Sequence, residues 1–347
     1  MIIDAHAHLV APDALYAFKA NLLADGGYHD VSPSIPDEEI AAASARNVAL
    51  MDQVGTDVQL LSPRPFHQMH SVKPGRMVHS WIRANNDVIA RTVAMHPERF
   101  AGVAGLPTVP DAPIADTFEE LGRAVNDLGF VGVCLNPDPH EGLGVSPTLG
   151  DPYWYPLYER LVDLDVPAHI HSAGCFDGRE TYSEHFITEE SRAILSILRS
   201  SLFDDFPTLR IMISHAGGSV PYQIGRWQAE RFHPALGGGP DAERFEVLLR
   251  RFWFDTVLHH PAALELLFEV VGPDRCLFGT ERPGSGSAVD PDIGRQFDDL
   301  RPLIEALDIL TADDRAAVFE GNARTVFPRL GVGSPPVSVA TANSKSA

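Results

Sequence analysis

The side chains best suited to chemistry are polar residues that close short apolar segments. The first such segment ends in His6-Ala7-His8, and side chains two residues apart on a strand point to the same side. Two neutral imidazoles on one face are natural ligands for a divalent transition ion. A His-x-His pair is weak support by itself, because any of the chain's 15 histidines could simply satisfy a backbone group.

Three further segments end in the same way. Residues 166–171 end in His169-Ile170-His171, residues 210–214 are followed by His215, and residues 275–279 are followed by Thr280-Glu281. Histidines and an acid at four separate strand ends would form a ring of ligands and bases around one axis. This coincidence favours a metal site over four unrelated polar residues.

The elements that must position these residues alternate between apolar, β-branched runs and amphipathic stretches. This alternation is typical of repeated βα units. The predicted strands are 2–6, 58–62, 101–106, 130–136, 166–171, 210–214, 252–256 and 275–279. Clear helical patterns cover 37–54, 117–128, 189–202 and 261–271. Eight units predict an α/β fold, a single (β/α)8 TIM barrel with elaborated βα loops, over residues 1–332.

A doubly wound open sheet would also alternate strands and helices. It more often has six strands, and this chain has no glycine-rich phosphate loop after its first strand. Residues 10–36 and 281–296 are long connections after the first and last predicted strands, so we expect them on the catalytic face. Residues 333–347 are predicted to be a disordered C-terminal tail.

Composition restricts the partners. The chain has 347 residues, of which 44% are hydrophobic and 21% charged, which is ordinary for a globular protein. A net charge of -20 argues against nucleic acid, and no apolar run of about 18 residues predicts a membrane span. With no signal peptide after Met1 and three widely spaced cysteines, we expect a cytoplasmic protein.

The arrangement resembles the amidohydrolase superfamily over nearly the whole chain, from Met1 to about Leu330. Within it, the chain is most similar to the branch that holds aromatic-acid decarboxylases and 4-oxalomesaconate hydratase. The segments that carry this resemblance, beyond the strand-end histidines, are Ser62-Pro63-Arg64, Asn85-Asn86, Leu135-Asn136-Pro137-Asp138-Pro139, Trp154-Tyr155-Pro156, Gly217-Gly218-Ser219-Val220-Pro221-Tyr222, Phe278-Gly279-Thr280-Glu281 and Glu320-Gly321-Asn322-Ala323-Arg324.

The resemblance implies a lyase that adds water to an unsaturated, multiply carboxylated keto acid formed in aromatic-acid catabolism. It also implies that zinc, or another divalent ion such as manganese, is held by His6, His8, His171 and Glu281. His215 would lie near the substrate. Decarboxylases of this branch usually carry Asp where this chain has Glu281, which favours the hydratase over the decarboxylase.

The residue types support such chemistry independently. Hydration needs a base for water and an acid for the neighbouring carbon, and we assign these roles to Glu281 and His215. Arg64 and Arg226 follow the second and sixth strands, where guanidinium groups can bind the carboxylates of a small anionic substrate. Each arginine could instead form a surface ion pair. Asn136 could contact a carboxylate or simply cap a turn.

Two connections depart from the hydratase pattern, the loop 172–182 and the segment after Glu281. This chain has Ser287 where the hydratase pattern has an arginine. We predict that Arg282 supplies the missing positive charge and binds the substrate. The alternatives are a metal-dependent non-oxidative decarboxylase of a hydroxylated aromatic acid, a lactone or amide hydrolase, and a non-catalytic scaffold. Barrels of this kind often associate, so we expect a homodimer.

Overall fold

The computed structural model describes residues 1–28 and 33–331. In these residues, seven parallel strands form one sheet whose order follows the chain. The strands are β1 (Ile3–His8), β2 (Val58–Ser62), β3 (Phe100–Gly105), β4 (Gly132–Leu135), β5 (Ala168–Ile170), β6 (Ile211–Ile213) and β7 (Trp253–Phe254). Because neighbouring strands are all parallel, their carboxyl ends meet at one edge. The predicted tail, 333–347, lies outside the described residues.

Helices cover the sheet between the strands. They are α1 (Asp13–Asp25), α2 (Asp37–Val54), α3 (Arg76–Met95), α4 (Phe118–Gly122), α5 (Tyr155–Asp163), α6 (Tyr182–Leu198), α7 (Leu202–Asp205), α8 (Ile224–Phe232), α9 (Phe245–Leu249), α10 (Pro261–Val271), α11 (Arg301–Glu305), α12 (Ala312–Ala316) and α13 (Asn322–Val326). The predicted helices 37–54 and 261–271 match α2 and α10.

The eighth predicted strand, residues 275–279, is not a regular strand in the structure. Its segment nevertheless lies between β7 and β1. The backbone N–H of Leu277 donates to the Phe254 carbonyl at 2.8 Å, and the N–H of Ala5 donates to the Phe278 carbonyl at 2.8 Å. The curled parallel α/β architecture is therefore confirmed, whereas the count of eight regular strands is not.

The polar side chains at the carboxyl ends of the strands are buried because the strands themselves are buried. The strands β1 to β6 are buried along their whole length, as expected of parallel strands covered by helices. A separate apolar cluster joins Phe327 and Leu330 to Ile3 and Val58 at the beginnings of strands. The segment that contains Phe327 and Leu330 thus packs at the end of the sheet opposite the strand-end histidines.

Helix α6 begins seven residues before the predicted start at Glu189, at Tyr182. The reason is a capping box in which the Thr181 hydroxyl accepts from the Glu184 N–H and the Glu184 carboxylate accepts from the Thr181 N–H. Such a Thr-x-x-Glu pattern is a recognised helix start. The early start adds Phe186 to the helix, and its ring stacks on that of His215.

No helix in residues 1–28 and 33–331 is long and apolar enough to cross a bilayer. The three cysteines are free thiols, with Cys134 and Cys276 buried and Cys175 partly exposed. The predicted cytoplasmic location stays a prediction.

Candidate metal centre and active site

Four buried side chains meet where the strands end. His6 and His8 belong to β1, and their rings lie 5.0 Å apart between centroids. The β1–β2 register shifts between Asp4 and Ala7, an irregularity of the kind that re-aims side chains beside active sites. One donor atom from each of His6, His8, His171 and Glu281 lies within 4.8 Å of the others.

The ring nitrogens at the centre of this group lack partners. The Nε2 atoms of His6, His8 and His171 are buried and make no hydrogen bond. A buried polar atom without a partner costs about 1–3 kcal/mol, so three together need an explanation. Three imidazole nitrogens and a carboxylate oxygen form a donor set that suits a divalent transition ion, and the residues present therefore fit a metal.

The opposite ring nitrogens fix which tautomer each histidine adopts. His171 Nδ1 donates to the Ser172 carbonyl at 2.7 Å, and His6 Nδ1 donates to Asp255 at 2.6 Å. Ser62 can donate its hydroxyl proton to the Pro63 carbonyl at 3.2 Å, so its oxygen accepts from His8 Nδ1 at 2.9 Å. With the proton on Nδ1, the lone pair is left on Nε2, as metal ligation requires.

Burial also keeps two of these imidazoles neutral. Burial lowers the pKa of His6 well below its usual value. It lowers the pKa of His8 to about 4, and the nearby positive charge of Arg64 contributes in the same direction. Neutral imidazoles are the form that binds metal, so no proton has to be removed from these two ligands near neutral pH.

Asp255, which follows β7, connects the first and sixth strand ends. Its carboxylate accepts from His6 Nδ1 and from the backbone N–H groups of His215 at 3.1 Å, Ala216 at 2.9 Å and Val257 at 3.1 Å. The side chain is fully buried. One carboxylate thus orients a candidate metal ligand and also the loop that carries His215.

Glu281 has an uncommon backbone conformation, with φ of 58°. A non-glycine residue adopts this left-handed region only where its surroundings hold it there. Its N–H donates to the His6 carbonyl at 2.7 Å, which fixes the carboxylate beside His8 and His171. Burial favours its neutral form, but the imidazoles of His171, His215 and His8 outweigh burial and hold the Glu281 pKa well below its usual value.

His215 lies between two carboxylates. Its Nδ1 is 2.9 Å from the Glu190 carboxylate, and its Nε2 is 3.5 Å from Glu281 Oε1. Burial opposes a charge on the ring, yet Glu190 and Glu281 outweigh burial and raise the His215 pKa well above its usual value. Phe186 stacks on the ring at 5.7 Å. The raised pKa favours the protonated imidazole, and these contacts hold the ring in one orientation, as a proton donor requires.

The raised pKa of His215 predicts a pH dependence. An acid must be protonated, so kcat/KM should fall as pH rises through the raised pKa of His215. Glu190→Gln removes the main stabilising charge, lowers that pKa and should move this limb to lower pH. The measurement is the pH profile of kcat/KM for both proteins.

Glu189→Gln is the matched control for this experiment. Glu189 is the preceding residue and is also buried, but its carboxylate contacts Arg192 at 2.5 Å instead of His215. Its variant should keep the wild-type limb. An unchanged limb in Glu190→Gln would show that Glu190 does not set the protonation state of His215.

A cleft of about 290 Å³ opens beside these residues. His8 and Glu281 line it together with the guanidinium-bearing Arg64, and Phe66 and Tyr182 form part of its wall. His67 also lines it, with a pKa lowered to about 4 by burial and by the nearby Lys19 and Arg64. The cleft thus offers one fixed positive charge, a neutral histidine and an aromatic wall beside the candidate metal ligands.

The other predicted substrate ligands lie elsewhere. The Asn136 side chain closes a turn, donating to the Asp138 carbonyl at 2.8 Å and accepting from the Asp138 N–H at 3.0 Å. Arg226 is exposed on α8 and does not line the cleft. The Arg282 guanidinium is buried against Asp298. Their roles in substrate binding stay predictions, and only Arg64 is brought beside the candidate metal ligands.

The buried Arg282–Asp298 pair gives a prediction about stability. Asp298→Ala leaves a guanidinium that is almost fully buried without its carboxylate, which should lower the free energy of unfolding by about 3–5 kcal/mol. Urea denaturation measures the change. The control is Asp299→Ala, whose partly exposed carboxylate lies 3.9 Å from the exposed Arg295; we expect about 0–1 kcal/mol for such a pair near the surface. Equal effects of the two changes would contradict a structural role for the buried pair.

Sequence reasoning missed Asp255 and Glu190. Asp255 fell inside a predicted strand, although an acid closing an apolar strand was a usable signal. Glu190 fell inside a predicted helix, where charged residues are ordinary. Its burial, with no exposed surface, becomes visible only once α6 is placed beside His215.

Comparison with known proteins agrees with this fold. The chain belongs to the amidohydrolase family, which it matches over residues 3–329. It is 39% identical to the 2-keto-4-carboxy-3-hexenedioate hydratase of Sphingobium sp. strain SYK-6, over 95% of this chain and 97% of the relative. It is 30% identical to a gamma-resorcylate decarboxylase of Rhizobium sp., over 80% of this chain and 85% of that protein.

Among solved structures, the 4-oxalomesaconate hydratase of Rhodopseudomonas palustris matches with a TM-score of 0.84. The sequence identity to it is 32%, and the match covers 95% of this chain and 96% of that chain. Family membership therefore rests on sequence and on three-dimensional structure alike.

Proposed function

We propose that the protein is a metal-dependent hydro-lyase that hydrates an unsaturated, multiply carboxylated keto acid of the 4-oxalomesaconate type in aromatic-acid catabolism. The observation that carries the proposal is the position of Glu281 Oε1, 3.5 Å from His215 Nε2, in one buried site beside the candidate metal ligands His6, His8 and His171. Addition of water needs a base and an acid together. The similarity to two hydratases supports the same reaction.

In this reaction one carbon of the double bond gains a hydroxyl group and its neighbour gains a proton. Glu281 accepts the proton of the attacking water, and His215 donates the proton that the neighbouring carbon takes up. The 3.5 Å between Glu281 Oε1 and His215 Nε2 allows the proton to return to His215 afterwards. Neither residue is changed overall, so the cycle is balanced.

The cleft residues would bind and orient the substrate. Arg64 can hold a carboxylate with two parallel hydrogen bonds, and its positive charge also favours the enolate that forms on the ketone side. The aromatic side chains of Phe66 and Phe186 cover the carbon skeleton and limit access of bulk water. These contacts would select a small, planar, anionic molecule.

His6, His8, His171 and Glu281 would hold the ion, and we infer zinc, with manganese as the alternative, from three neutral imidazoles and one carboxylate. A bound divalent ion supplies Lewis acidity, which lowers the pKa of water towards about 7. Metal analysis of the purified protein would identify the ion. A protein that folds but never retains a stoichiometric divalent ion would contradict the assignment.

A metal-dependent non-oxidative decarboxylase of a hydroxylated aromatic acid is the second candidate. It is favoured by the 30% identity to a gamma-resorcylate decarboxylase. The same cleft could hold a hydroxylated benzoate, with His215 supplying a proton to the ring carbon that loses CO2. The higher identity and the wider coverage of the hydratase favour hydration.

The test is to assay protein loaded with zinc or manganese against 4-oxalomesaconate and a panel of dihydroxybenzoates and phthalates. Hydration removes the conjugated chromophore and releases no CO2, so absorbance should fall without gas formation. CO2 release from a dihydroxybenzoate without any loss of the oxalomesaconate chromophore would contradict the hydratase proposal and support the decarboxylase instead.

We also infer that residues 276–282 take the place of the eighth strand and complete a barrel that spans residues 1–332. The bridges of Cys276 to Phe254 and of Arg282 to Ala7 support this closure. We further propose a cytoplasmic homodimer that binds neither nucleic acid nor membranes. Light scattering of the purified protein would test the dimer.

A further inference from the structure

A second group of potential metal ligands lies in the connection between β5 and α6 and at the start of α6. It consists of Cys175, Glu180 and His185, and we call it the Cys175 cluster. One ligand atom from each residue lies within 4.8 Å of the others. None of the three belongs to the set formed by His6, His8, His171 and Glu281.

The imidazole of His185 is placed between two carboxylates. Its Nδ1 lies 3.1 Å from Glu180 Oε2, and its Nε2 lies 3.4 Å from Asp138 Oδ2. The His185 side chain is only 4% exposed, and its Nε2 makes no hydrogen bond. Ionised carboxylates only accept hydrogen bonds, and a neutral imidazole has a single N–H. One ring nitrogen therefore faces an oxygen with its lone pair unless a second proton or a metal ion intervenes.

The surroundings favour a cation. Asp138, Asp177, Glu180 and His185 line a cavity of about 290 Å³. The one arginine that also lines it, Arg192, already contacts Glu189 at 2.5 Å. The cavity beside Glu180 and His185 therefore has an excess of negative charge.

We propose that Cys175, Glu180 and His185 bind a second divalent ion of the zinc type. A thiolate, a carboxylate oxygen and an imidazole nitrogen are all accepted ligands of zinc. In this arrangement Asp138 accepts from His185 Nε2–H, which leaves the Nδ1 lone pair on the side of Glu180. A carboxylate that orients a metal-binding histidine in this way is common in metal sites.

Metal binding at the Cys175 cluster releases a proton. The Cys175 thiol loses its proton to solvent when the sulfur binds the ion, so affinity should rise with pH. No oxidant or reductant is needed. The ion would join the connection between β5 and α6, through Cys175 and Glu180, to the start of α6, where His185 contacts Asp138.

This position gives the ion a structural consequence for the catalytic face. His185 is directly followed by Phe186, which stacks on His215. The connection that carries Cys175 begins after His171. An ion at the Cys175 cluster would therefore hold in place the wall of the cleft and the element that orients His215.

The test uses cobalt as a probe, because the two sites differ in donor atoms. The first site offers only nitrogen and oxygen, so a near-ultraviolet sulfur-to-cobalt charge-transfer band can arise only from a cysteine. Metal-free full-length protein is titrated with Co2+, and the bound metal is counted after gel filtration. We expect the band and two equivalents per chain.

Cys175→Ser should abolish the band and reduce the bound metal by one equivalent, whereas Glu180→Gln should weaken binding at this site by at least about 10-fold. Cys134→Ser is the matched control and should keep the band, because Cys134 is a buried thiol outside the cluster.

Absence of the band with one equivalent bound would overturn the proposal. It would show that His185 is an imidazolium paired with Glu180 and Asp138. A band that survives Cys175→Ser would overturn it as well. The readout does not depend on turnover, so it is independent of the proposed hydratase activity.

Discussion

Glu281→Gln should lower kcat by at least about 10²-fold, the lower end of what a positioned general base contributes. Glutamine keeps the shape of the side chain and one oxygen donor, but it removes the negative charge and nearly all the basicity. The charge matters here because Glu281 faces His8, His171 and His215 in a site that excludes most water. Steady-state kinetics with zinc content determined on the same sample would measure the effect.

His215→Asn provides the comparison for Glu281→Gln. His215 makes no contribution to the proposed ligand set, so its variant should lose kcat while retaining full metal content. If Glu281→Gln holds a full equivalent of zinc and still turns over at a near-normal rate, Glu281 is not the base. The choice of hydratase over decarboxylase would then lose its main support from a single residue.

The strand-end residues were predictable because they interrupt a strong pattern. In β1 the histidines alternate with alanines inside a wholly buried strand. A buried polar side chain at such a position is costly unless it has a partner, so the sequence itself draws attention to it. The structure brings these side chains and Glu281 to one point, as the alternation of strand residues suggests.

The supporting residues were not predictable, because their partners are distant in sequence. His6 and Asp255 are 249 residues apart, and His215 and Glu190 are 25 apart on different elements. Neither pair has a local pattern that would indicate the contact. Arg282 shows the same limit, because its charge is taken by Asp298, 16 residues later.

The irregular segment 275–281 lies in close contact with β1. Gly279 lies so close to β1 that an added Cβ would be 2.9 Å from the His6 Cβ. Glu281, two residues later, adopts a left-handed backbone conformation. A regular strand cannot contain that conformation, so the segment cannot continue as a regular strand to Glu281.

Asp255→Asn should weaken zinc binding by about 10–100-fold, the usual cost of losing the group that orients a ligating histidine. The aspartate accepts from four N–H donors, those of the His6 ring and of the His215, Ala216 and Val257 backbone. An asparagine has one oxygen to accept with, and its NH2 group would face a donor. His6 would then lose its fixed tautomer, and the loop that carries His215 would lose its anchor, so kcat should fall even when zinc is saturating.

Ser62→Ala is the matched control for Asp255→Asn, because it removes the acceptor of His8 Nδ1 but no charge and no loop anchor. We expect a smaller loss of zinc affinity from Ser62→Ala and little change in kcat at saturating zinc. Competition with a chromophoric chelator measures both affinities. If Asp255→Asn binds zinc as tightly as the wild type, the 2.6 Å contact with His6 does not orient a ligand. If it loses affinity but recovers full kcat at saturating zinc, Asp255 acts on the metal ligand alone and does not position His215.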